Sequence, residues 1–162
     1  EIRKKTGKGT ININTNGSQP HNLLRIIKAG LNSVRVSINS ILPDIYNAYY
    51  KPVNYNFEDV IESCNVAKKE GIFTMVNYLI FPGVSDTEEE FEALKAFLNR
   101  IKINFLHFKN LCIDPSVYIE QVGKGKGNAI GIRALFELLK NEFPDVEIGY
   151  FNKYIAKHLG YD

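Results

Sequence analysis

The stretch Ser33-Val-Arg-Val-Ser-Ile-Asn-Ser40 decides the fold. Val34, Val36 and Ile38 fall on one side, and Ser33, Arg35, Ser37 and Asn39 on the other. A period of two with β-branched residues on the apolar side predicts a β-strand. Its polar side carries one Arg among small hydrogen-bonding groups, unlike the Lys, Glu and Thr of a wet surface face. If the strand is central, that side is buried, and buried polar groups need partners. A ligand is one way to supply them.

Working outward, Thr10 to Asn16 alternates in the same way, with Ile11 and Ile13 opposite Asn12, Asn14 and Asn16. Gly17 to Pro20 stops that strand and opens a helix that runs to about Ala29, ended by Gly30. After the opening strand, Ile41 to Asn56 holds four Tyr and two Pro, which predicts a short helical turn and then an ordered loop. Phe57, Val60, Ile61, Cys64 and Ala67 have helical spacing, and Gly71 caps them. Ile72 to Phe81 is nearly all apolar, as in a strand buried on both faces, and Pro82-Gly83 ends it. A helix follows, opened by Glu88, Glu89 and Glu90, where carboxylates suit the dipole. Ile103 to Ile113 is a further strand, and Gly123 to Gly127 reads as a flexible surface loop. Ile130 to Glu142 is a helix, Val146 to Tyr150 a short strand, and Asn152 to Leu159 a closing helical turn or two.

Strand and helix thus alternate, which implies an α/β fold of parallel βαβ units, either an open sheet or part of a barrel. In both, ligands sit beyond the carboxyl ends of the strands. Asn14 and Asn16, Ser37 and Asn39, Pro82 and Gly83, and Asn110 and Asp114 gather there. For any one of them a structural role is the simpler reading; the set on successive strands favours a polar small-molecule site.

The totals narrow the classes. At 162 residues a single domain over 1–162 is expected, with 44% hydrophobic and 23% charged residues. A net charge of +2 with mixed signs gives no electrostatic case for nucleic acid, and no apolar run has membrane-spanning length. Two cysteines without metal-type spacing favour a reducing cytoplasm and name no metal ligand. Cys64 and Cys112 both read as small buried hydrophobes, and His107 as a core or barrel-interior histidine. No glycine fingerprint follows the first strand, and Gly123 to Gly127 lacks the P-loop ending. The first residue is Glu1, not Met, which fits an excised or truncated piece.

Thr15-Asn-Gly-Ser18, Val34-Arg-Val-Ser-Ile-Asn39, Tyr49-Tyr-Lys-Pro52, Asn77-Tyr-Leu-Ile-Phe-Pro-Gly-Val-Ser-Asp86 and His107-Phe-Lys-Asn-Leu-Cys-Ile-Asp-Pro115 resemble the later part of a radical SAM enzyme barrel. The likeness covers about residues 10–120, with 121–162 as an extension. It implies a partial (β/α)6 TIM barrel, S-adenosylmethionine (SAM) and a [4Fe-4S] cluster. In that family SAM is reductively cleaved to a 5′-deoxyadenosyl radical, and the resemblance implies an enzyme that activates or modifies another protein or peptide.

Carried over by position, Asn14 and Asn16 approach the methionyl part or the substrate. Arg35 suits the methionine carboxylate, which a guanidinium binds bidentately. Ser37 and Asn39 bond ribose hydroxyls, while Asn77, Phe81 and Gly83 flank adenine. Asn110 and Asp114 lie near adenine or substrate. For the Tyr-rich segment two readings stay open: a substrate channel that includes Tyr50, or packing over the helix layer.

The family's CxxxCxxC loop is absent. The expectation is therefore the C-terminal portion of a longer enzyme, truncated at its N-terminus. It is inactive alone, does not hold the cluster itself, and self-associates through an exposed edge strand. Two rival readings are another α/β barrel, gripping an anion through Arg35 with Lys109 and Asp114 as candidate groups, and a non-catalytic binding module.

Overall fold

In the computed structural model, which describes residues 1–151, the two alternating stretches are neighbouring parallel strands. They are β1 (Asn12–Thr15) and β2 (Ser33–Ile38). Three more parallel strands follow: β3 (Phe73–Ile80), β4 (Phe105–Asn110) and β5 (Glu147–Gly149). The spatial order β1-β2-β3-β4-β5 is the sequence order, so each strand pairs with the next and β1 and β5 form the edges. Parallel neighbours need crossovers, and helices supply them.

These helices are α1 (Ile2–Lys5), α2 (Pro20–Lys28), α3 (Pro43–Tyr50), α4 (Phe57–Lys69), α5 (Glu88–Ile101), α6 (Pro115–Val122) and α7 (Ile132–Glu142). Local chemistry sets their starts. Asn56 and Asp59 form a reciprocal capping box on α4. The Asp114 carboxylate accepts from the Ser116 N–H at the head of α6, 2.8 Å away. Pro20, Pro43 and Pro115 occupy first-turn positions, where the missing N–H costs nothing.

One core carries the fold. Val34, Val36 and Ile38 of β2, Val76 and Tyr78 of β3, and Leu106 and Phe108 of β4 are buried against Leu23, Val60, Cys64, Leu94, Leu98, Leu135 and Leu139 of the helices. Each such aliphatic or aromatic side chain contributes on the order of 1.5–3 kcal/mol by leaving water. Approach at the β1 exit is close. Gly17 has φ +72, and a Cβ there would lie 2.9 Å from Val36 Cγ1. The Ser63 hydroxyl donates to its carbonyl at 2.6 Å.

Several sequence expectations are corrected. The region 41–56 holds the full helix α3 rather than a short turn, because Leu42 and Pro43 start it cleanly and Lys51 ends it in the left-handed region at φ 46. The segment after Asp114 forms α6, and a short α1 precedes β1. Cys64 is buried as expected, but Cys112 is exposed, because β4 ends at Asn110.

The glycine-rich loop is docked rather than free. Gly125 N–H donates to the Gly83 carbonyl at 2.9 Å, Ile130 N–H to Asp86 at 2.8 Å, and Thr87 bridges Ala129. The predicted closing helix over 152–159 lies outside the described residues. Among the described residues no helix is long and apolar enough to cross a membrane.

Candidate functional site at the strand exits

Parallel strands place all their carboxyl ends on one side of the sheet, so the predicted residues converge there by topology. Pairing register then groups them. Val36, Val76 and Leu106 belong to the helix-covered core, so their neighbours in sequence point to the opposite face. Asn14, Arg35, Met75 and Phe105 form one row across that face. Ser37, Asn77, His107 and Gly149 form the next row toward the exits.

Within these rows, Arg35 is half-buried and its Nε stands 3.4 Å from Met75 Sδ. Burial lowers its pKa from the usual guanidinium value, and an arginine so placed keeps its charge. Ser37 and Asn77 are half-buried, while Asn14 is exposed. Asn16, just past β1, accepts from Ser18 N–H at 3.1 Å and so shapes its own turn. Asn39 is buried, and its amide donates to the Ile45 carbonyl at 3.3 Å and to the Tyr118 hydroxyl at 3.5 Å. Asn39 Oδ1, Asn77 Oδ1 and His107 Nδ1 are buried atoms that lack a hydrogen-bond partner among the described residues. Such atoms are costly unless a ligand or water fills them.

An aromatic roof stands over the exits. Phe81 packs on Tyr118 with ring centres 4.9 Å apart, and Tyr49 meets Tyr118 edge-on at 5.3 Å. Tyr50 packs at a tilt on Tyr46 within α3, ring centres 4.7 Å apart. Burial pushes the Tyr50 and Tyr118 hydroxyls up to about 12, so both stay protonated donors. Gly83, at the β3 exit, donates its N–H to Asp86 Oδ1 at 2.6 Å.

Two predicted residues stand apart from the rows. Asn110 pairs with Ile80, a helix-side core residue, and is exposed at the end of β4. The Asp114 carboxylate is occupied by the Ser116 N–H and hydroxyl, bonds that hold it below the usual carboxylate range. That occupancy suits a helix cap rather than a general base.

Sequence reasoning missed the group that fixes the site. Glu90 is fully buried. Its carboxylate accepts from the Ser40 hydroxyl, the Ile41 N–H at 2.6 Å and the Tyr78 hydroxyl at 2.7 Å. It joins the β2 exit, β3 and α5 in one knot. The available signal was spacing: Glu90 shares the helical stripe of Leu94, Phe97 and Ile101. His107 was read only as an interior residue. It is 1% exposed, stacks on Phe105 at 12°, and its Nε2 lies 2.9 Å from the Tyr150 carbonyl.

The donor chemistry does not suit an iron–sulfur cluster. Among the described residues no group of three or more His, Cys, Asp or Glu could hold a metal ion. The chain has two cysteines, and burial pushes the Cys64 thiol up to about 12, away from the thiolate a cluster needs.

Comparison with known proteins gives a family profile, described as Radical SAM superfamily, that matches residues 1–98. No curated protein matches the chain. SuiB from Streptococcus suis, solved bound to S-adenosylmethionine, superposes with a TM-score of 0.59 at 12% identity, over 90% of this chain and 33% of that one. SuiB bound to its precursor peptide SuiA gives 0.58 at 13% identity, over 92% and 33%. The methylornithine synthase PylB gives 0.61 at 14%, over 91% and 42%. Identities this low show a shared fold, and the chain spans 33–42% of these neighbours' lengths.

Proposed function

Because the chain belongs to the radical SAM superfamily, we propose that its strand exits supply the SAM-binding and substrate-facing part of a radical SAM enzyme. The reading rests on one observation: Arg35 and Ser37 project from β2 onto the face opposite the main helix-covered core, beside Asn39 with its unfilled Oδ1. A cation, a hydroxyl and an amide acceptor in a row fit a ligand with a carboxylate and adjacent hydroxyls.

The residues present fit SAM. Arg35 takes the methionine carboxylate as a two-pronged donor. Ser37 and the Oδ1 of Asn39 take the ribose hydroxyls. Asn14 and Asn16 border the methionyl end, and Phe81 to Gly83 border adenine. When bound, SAM supplies the 5′-deoxyadenosyl group from which the family draws its radical chemistry. The residues of this chain bind it, orient it and keep water away under the aromatic roof.

The [4Fe-4S] cluster does not fit these residues. We propose that its ligands come from a different segment of a longer enzyme. A peptide is the proposed substrate class, since a neighbour of the same fold binds a precursor peptide.

The test uses the complete enzyme that contains these strands. After anaerobic reconstitution with iron and sulfide, reductant and SAM are added and 5′-deoxyadenosine is measured. Its release, lost in Arg35→Met, is the expected result. Absence of both cluster absorbance and SAM cleavage overturns the reading.

A further inference from the structure

His107 sits in the middle of β4 with its ring on the face opposite the main helix-covered core, stacked on Phe105. Its Nε2 stands 2.9 Å from the Tyr150 carbonyl. A carbonyl can only accept, so Nε2 carries the hydrogen and the neutral ring presents Nδ1 as an acceptor. That Nδ1 is buried and unfilled. On the adjacent strand, in direct register, Asn77 presents a second buried, unfilled acceptor, Oδ1. Neighbouring strands lie about 4.8 Å apart, so one small group can address both side chains. Exposed Lys109, paired with Leu79, lies one row further toward the exits on the same face.

We propose that Asn77, expected from the sequence to flank adenine, instead forms with His107 the inner wall of a substrate subsite that accepts hydrogen bonds from a neutral amide. Two acceptors call for a donor group. Arg35 and Lys109 both act on His107 as positive charges, which disfavours a ligand ammonium. A carboxylate brings no hydrogen to either acceptor. An amide N–H, from a peptide backbone or a carboxamide side chain, meets both conditions. Naming the subsite as the substrate's rests on the SAM reading. Ser37, at the other end of the same row, is assigned to the cofactor, and the substrate must lie beside it. The amide-binding claim itself does not depend on SAM.

The experiment therefore reads His107 directly. With histidine nitrogens selectively labelled, the complete enzyme that contains these strands is titrated by NMR with propionamide, propionate and propylammonium. His21 provides an internal control in the same sample. The expected result is an unprotonated Nδ1 on His107 that shifts saturably with propionamide alone. Asn77→Ala weakens that response about tenfold or more while the His21 signal stays in place. His107→Phe keeps a ring to stack on Phe105 and serves as the assignment control. A protonated Nδ1, a response equal for all three probes, or no saturable response to propionamide overturns the proposal. None of these outcomes touches the SAM-cleavage assay, so the two readings fail separately.

Discussion

The Glu90 carboxylate and the Tyr78 hydroxyl meet at 2.7 Å inside the core, one from α5 and the other from β3. Ser40 and the Ile41 backbone complete the same carboxylate, so the turn that carries Asn39 is held from below. Removing the acceptor strands three buried donors, each worth about 1–3 kcal/mol unsatisfied. Glu90→Ala is expected to lose roughly 3–5 kcal/mol of stability. Glu90→Gln, which keeps shape and one acceptor, loses less. Denaturant midpoints measure both, and a loss below about 1 kcal/mol for Ala contradicts the knot.

The same group gives a pH signature. Burial raises the Glu90 pKa above its ordinary 4.5, and the hydrogen bonds from Ser40, Ile41, Tyr78 and Leu42 only partly oppose this. A raised folded-state pKa means that its contribution is full below 4.5 and declines as pH climbs through the folded value. Glu90→Gln should flatten stability across that window. An unchanged slope would show that the carboxyl titrates like a free one.

His107 has the opposite sign. Burial, then the charges of Lys109 and Arg35, lower its pKa below 6.5, against the bond to Tyr150. Its contribution is present above 6.5 and lost as pH falls through the depressed value. His107→Phe should remove this acid-side loss, as followed by thermal unfolding at stepped pH.

Gly125 tests the docked loop. A Cβ there would lie 2.5 Å from the Gly83 carbonyl and 2.6 Å from Thr87 Cγ2. Gly125→Ala is expected to cost about 1–3 kcal/mol locally. It should speed amide exchange at Ile130, whose N–H bonds Asp86. Unaltered exchange would mean that the loop is not fastened at Gly125.

Arg35 tests the cofactor reading by geometry rather than by charge alone. Lys keeps the cation but loses the planar two-pronged donor. Arg35→Lys in the complete enzyme should raise the SAM requirement about tenfold or more, while stability changes little. Equal SAM dependence would remove Arg35 from the carboxylate.

The strand plan was legible because β2 alternates without a break, and the apolar run of β3 ends sharply at Pro82-Gly83. The helix α6 was not, since Pro115 to Val122 has weak amphipathic contrast between Asp114-Pro115 and the glycine loop. Parity placed Arg35, Ser37 and Asn39 on one side. It could not show that the Asn39 amide is spent on Ile45 and Tyr118. Glu90 was obscured by its neighbours, because Glu88 and Glu89 are exposed and fit the helix dipole while the third carboxylate turns inward. Contacts between residues far apart in sequence, such as Gly125 on Gly83 or Ser40 on Glu90, leave no periodic trace.

Asn39 is spliced into two helices at once, donating to α3 at Ile45 and to α6 at Tyr118 while its oxygen stays unfilled. A ligand hydroxyl that fills that oxygen is therefore thermodynamically linked to the order of both helices. Linkage is reciprocal: whatever stiffens the contact between α3 and α6 must tighten the ligand by the same factor. Affinity at the floor of the site can thus be tuned from Tyr118, which lies on a different helix.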